Sequence, residues 1–141
     1  MKTMYCLLIF LVLFVIVGCQ ISGETMVLLD EKIEVINVSA GNEVGNINTN
    51  TIISLTDKES IEALETVIRT AVKQKVDVNN STPDFDILVE YAEGFPGHPI
   101  HLWLAEDEEP STLMYIVDEE RVTYKTTSKS TIQLRELLMT K

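Results

Sequence analysis

An unbroken apolar run of eleven residues, Leu7 to Val17, stands at the front of this chain and decides how the rest is read. A membrane-crossing helix needs roughly 20 apolar residues. Extending the run back to Met4 gives only 14, which is too short to span. With Lys2 ahead of it, the run has the form of a signal-peptide h-region, expected over residues 1–18. The chain's two cysteines, Cys6 and Cys19, lie inside or just after this run, and none follows. An exported domain here has to fold on packing alone, without disulfides and without a thiolate zinc site.

The run ends Ile16-Val17-Gly18-Cys19. This resembles the lipobox of bacterial lipoproteins: a branched apolar residue, a small or β-branched residue, Gly or Ala, then Cys. The resemblance implies cleavage between Gly18 and Cys19 and alkylation of the Cys19 thiol by a diacylglycerol. One acyl chain binds only marginally, at about 0.8 kcal/mol per buried methylene, and two make the attachment durable. The expected location is the extracytoplasmic face of a cell membrane, with the membrane as partner through diacylglyceryl-cysteine. Residues 19–31, with Gly23 and little periodicity, are expected to be the lipidated cysteine and a tether, and residues 32–141 one domain.

The eighteen residues before Cys19 hold one lysine and no acid, so the mature chain carries 10 basic and 22 acidic groups, a net −12. Nucleic-acid binding needs a basic footprint, and adhesion to anionic lipid by a polybasic face needs one too; overall charge argues against both. The acidity is read as solubility, with a cationic partner or weak calcium binding as the lesser alternative.

Apolar and polar residues alternate over 33–38 and again through the β-branched run 51–55, with an Asn- and Gly-rich turn between them. Thr56-Asp57-Lys58-Glu59 has the form of a capping box. Ile61, Leu64, Ile68 and Ala71 follow at helical spacing, which predicts an amphipathic helix ending near Gln74. Four alternating stretches come next, around 85–91, 100–104, 113–117 and 122–124, separated by turns at Gly94–Gly97, Glu106–Pro110 and Asp118–Glu120. A second helix is expected from about Ser130, with Ile132, Leu134, Leu137 and Leu138 as its apolar side. The expected class is α+β, a mostly antiparallel sheet in the order ββαββββα with both helices on one face.

Chemistry is sparse. His98 and His101 are the only histidines, and residues three apart on a strand point to opposite faces. They are read as structural; a metal-dependent enzyme using both, with nearby carboxylates, is the alternative. Asp84 and Asp86 flank Phe85 without a nucleophile or cationic partner evident in the sequence. Glu106 to Glu109 lacks the ligand spacing of a calcium loop. There is no phosphate-binding Gly-rich loop and no Gly-x-Ser-x-Gly elbow, so no catalytic residue, metal site or cofactor is assigned. Trp103, with His101 and Met114, is placed on the wetter side of the sheet, as a partner surface for a cell-surface protein or a small-ligand pocket, unless that face is covered.

The runs Ile53-Ser54-Leu55-Thr56-Asp57-Lys58-Glu59-Ser60-Ile61, Pro83-Asp84-Phe85-Asp86, His101-Leu102-Trp103-Leu104 and Thr112-Leu113-Met114 together resemble the small YhfM-like lipoproteins of Gram-positive bacilli. The likeness covers roughly residues 32–138. It implies a membrane lipoprotein of such a cell, with one small α+β domain and Cys19 as the lipidated residue, and it transfers no active-site residue. The expected function is a non-enzymatic interaction module displayed outside the membrane.

Overall fold

The computed structural model describes residues 23–78, 80–117 and 119–140; the expected signal peptide and the Gly18–Cys19 junction lie outside them. Seven strands form one sheet: β1 (Ile33–Ala40), β2 (Thr51–Leu55), β3 (Val72–Lys73), β4 (Phe85–Tyr91), β5 (His98–Trp103), β6 (Thr112–Tyr115) and β7 (Thr123–Lys125). Their spatial order is β2-β1-β4-β5-β6-β7-β3, and every neighbouring pair is antiparallel. Helices α1 (Lys58–Thr70) and α2 (Ser128–Met139) complete the α+β domain expected from the sequence. Helix α1 links β2 at one edge to β3 at the other, so it has to cross a whole face of the sheet.

That face holds the core. Cross-strand partners share a side, and Ile36, Leu55, Ile87, Val89, Ile100, Leu102 and Leu113 stand on this one, each fully buried. Ile61, Leu64, Val67 and Ile68 of α1 and Leu134 and Leu138 of α2 close over them. Ile132, expected on the apolar side of α2, is instead 39% exposed.

Three local expectations are corrected. The cap of α1 is Asp57, whose Oδ1 accepts the Ser60 N–H at 2.9 Å, and not Thr56. A carboxylate at this position also meets the positive helix end favourably. The helix stops at Thr70, four residues before the expected end, because Val72 and Lys73 pair with Lys125 and Tyr124 at the sheet edge. Helix α2 starts at Ser128, since Thr127 caps it by accepting the Ser130 N–H at 3.1 Å.

The described part of the expected tether, Gly23 to Glu31, is built into the fold. Met26 and Leu28 belong to the core. Thr25 bridges Val72, and the Lys73 N–H donates to the Glu24 carbonyl at 2.7 Å, which extends the sheet beyond β3. Arg69 donates to the Leu28 and Leu29 carbonyls at 3.3 and 2.8 Å while pairing with Glu65 at 2.8 Å. Backbone groups that a free tether would leave to water are satisfied by the domain.

Candidate functional site

Strands β4 and β5 pair with Asp86 directly opposite His101, on the face turned away from the helices. Asp86 Oδ1 lies 2.7 Å from His101 Nδ1, and neither side chain has any exposure. The seal comes from the connection between β1 and β2. The Gly45 N–H donates to His101 Nε2 at 3.0 Å, and the Asn48 N–H donates to Asp86 Oδ2 at 2.7 Å. Because Nε2 accepts, the geometry assigns the imidazole its hydrogen on Nδ1, donated to the carboxylate.

Glycine is required at two points of this connection. Gly45 adopts φ +94°, a region that suits glycine, and from there its N–H reaches the ring. At Gly41 a Cβ would stand 1.8 Å from the Pro83 carbonyl oxygen, so only glycine lets the two segments touch. Asn48 then ties the loop down, its Nδ2 donating to the Ala40 carbonyl at 2.9 Å. Among the described residues, no buried side-chain nitrogen or oxygen lacks a hydrogen-bond partner.

The expected partner surface is therefore corrected. His101 is 0% and Met114 1% exposed, so neither can meet a partner. Loops cover this face. The 41–50 segment lies over Asp86 and His101, while Val76 N–H donates to Thr123 Oγ1 at 3.0 Å from a second loop. Trp103 stays partly exposed, its ring edge-on to His101 at 5.7 Å and its Nε1–H donating to the Ser81 carbonyl at 3.1 Å.

His98 faces the other side, as its spacing from His101 predicts. Tyr91 Oη accepts the Leu29 N–H at 3.2 Å, which leaves its own hydrogen for His98 Nδ1 at 2.7 Å. Burial between Tyr91 and Tyr115 lowers the His98 pKa below the usual 6.5. The two histidines are thus split between faces and cannot share one metal ion, and among the described residues no group of three or more His, Cys, Asp or Glu could hold one. Asp84, expected beside Asp86, accepts the Leu104 N–H at 2.8 Å and belongs to the turn.

Sequence reasoning missed the Asp86–His101 pair and its loop partners. The residues were visible; the register that sets them opposite one another was not.

No curated protein matches the chain. The crystal structure of a thioesterase-like protein from Clostridium sporogenes ATCC 15579 is similar in fold, with a TM-score of 0.55 and 13% identity over 76% of this chain and 94% of that one. The YhfM protein family matches residues 30–141, which takes in the whole sheet, both helices and the Asp86–His101 pair. On that match, the chain belongs to the YhfM family.

Proposed function

We propose that this protein is an extracytoplasmic lipoprotein, held to the membrane by a diacylglycerol on Cys19, whose domain acts as a non-enzymatic interaction module. The anchor reading is supported by the apolar run closing on Gly18-Cys19. The observation that carries the non-enzymatic reading is the engagement of His101 Nε2. An Asp–His pair acting as general base needs that nitrogen free to take a proton. Here it accepts the Gly45 N–H, and the carboxylate behind it is equally occupied. Bonded on every side, the pair serves to fix a loop on a sheet.

Hydrolysis of an acyl thioester is the second reading, favoured by the fold likeness to a thioesterase-like protein. In that reading His101, oriented by Asp86, deprotonates a water.

Both parts are testable. Changing Cys19 to Ala is expected to move the protein from the membrane fraction to the medium or to leave an uncleaved precursor. Unaltered fractionation and migration would refute the anchor. Full-length protein in detergent is expected to hydrolyse acyl thioesters no faster than buffer. A rate that is lost in a folded His101→Gln variant would establish the second reading instead.

A further inference from the structure

Resting on the interaction-module reading, and independent of the lipid on Cys19, we propose that the open edge of the sheet, strand β2, pairs antiparallel with β2 of a second copy of this chain. Two sheets then join into one across a two-fold axis.

The two edges of the sheet are finished differently. At β3 the chain covers its own edge: Thr25 bridges Val72, and the Lys73 N–H donates to the Glu24 carbonyl at 2.7 Å. On the other side, β2 pairs with β1 alone among the described residues. An edge strand turns the N–H and C=O groups of alternate residues away from its neighbour, and another extended backbone is what satisfies such a row. The connection before β2 leaves this edge open, since Gly45 and Asn48 bind His101 and Asp86 and carry it over β4 and β5. Thr51, Ile52 and Ser54 are exposed.

Natural edges are blunted by charge, by proline or by a bulge. Strand β2 has neither charge nor proline. It has a bulge: Val38 faces Ile53 and Ser39 faces Thr51, which leaves Ile52 without a partner on β1. That bulge puts an apolar side chain into water, 59% exposed, where a guarded edge carries a charged one.

Charge selects a second copy as the occupant. The chain carries −11, so two copies repel across most of their surfaces. Val44 to Thr56 is a run of thirteen residues without Asp, Glu, Lys or Arg, and no longer one follows Gly23. A two-fold contact sets a strand against itself, so any charge on it would lie near its like. With the strands overlapped from Thr51 to Leu55, Ile53 meets its counterpart and Thr51 meets Leu55. Asp57 and Lys58, next along the chain, then lie opposite the uncharged Thr49 and Asn48 of the other copy. Lys58 already pairs with Glu62 of its own helix at 3.6 Å. A parallel arrangement would instead set Asp57 against Asp57.

The test is sedimentation equilibrium of the full-length protein in density-matched detergent, with amide exchange on the same samples. The mass is expected to double from monomer to dimer as concentration rises, and exchange within residues 51–55 to slow with it. Ile52→Glu changes an exposed side chain and should keep the circular dichroism of the fold. It should weaken association by about tenfold or more, because like charges then meet at the contact. A monomer at every concentration overturns self-pairing and leaves the interaction reading to another partner. Dimers that persist in Ile52→Glu, with exchange at β2 unchanged, overturn this surface. A mass that keeps growing beyond the dimer contradicts the closed two-fold contact. In cells, a benzophenone amino acid at position 52 is expected to crosslink the chain to itself. Capture of a different protein and of no second copy would give the edge to that occupant and overturn the inference.

Discussion

His98 and His101 stand three residues apart on one strand and occupy different environments. His98 is on the helix-covered face, half-buried among Tyr91 and Tyr115, with one hydrogen bond from a tyrosine. His101 is on the loop-covered face, fully buried and bonded through both ring nitrogens. The faces they report on are built by different physics. One is closed by apolar area, which is non-directional and tolerates approximate shape. The other is closed by a few directional hydrogen bonds to loop amides, where moving one atom leaves a buried polar group unpaired. A sheet can thus be sealed on both sides although only one side carries helices.

The sharpest way to break this comparison is Asp86→Ala. Removing one member of a buried, hydrogen-bonded pair is expected to cost about 3–5 kcal/mol. Denaturant unfolding measures it, and a loss under about 1 kcal/mol would mean the loop face contributes little. On the helix face, Leu64→Ala should cost about 3 kcal/mol, within the range for a fully buried leucine. If the polar variant costs as much as the apolar one, the two faces are equal partners in stability. Asp57→Ala should cost about 1 kcal/mol as a lost cap, measured the same way.

The smallest effect concerns pH. The His98 pKa is lowered on folding, so the unfolded chain binds the proton more readily. The corresponding stability is present above the unfolded value of 6.5 and is lost as pH falls through the lowered folded value. His98→Gln should flatten this part of the profile of melting temperature against pH. A profile that keeps its slope in the variant would assign it to other groups.

The helices were legible because a 3.6-residue period needs no partner to be seen, as in Ile61, Leu64 and Ile68. Alternation located the longer strands in the same way. Strand β3 was not legible: two residues carry no period, and its pairing depends on Tyr124 and Lys125 some fifty positions away. The core role of Met26 and Leu28 was hidden likewise, since Met26 is held by the Ala71 carbonyl and residues 27–29 by Arg69, Tyr91 and Tyr115. For the site, residue types were visible and contacts were not. The alternation that put Trp103, His101 and Met114 on one face was right, but it says nothing of a loop folding over that face. Gly41 and Gly45 mark the turn in the sequence, yet only the structure brings the Gly45 amide to His101.

The central claim is that the Asp86–His101 pair is a sealed structural element, and amide hydrogen exchange at Gly45 and Asn48 tests it most directly. Both amides sit in a loop of mostly exposed residues, where a free loop exchanges quickly. The account predicts protection at these two positions comparable to that of Ile87 and Ile100 in the core, and its loss in a folded His101 variant. Exchange as fast as that of the unprotected loop would show that Nε2 is open to solvent, and would contradict the account by returning His101 to the reach of a substrate.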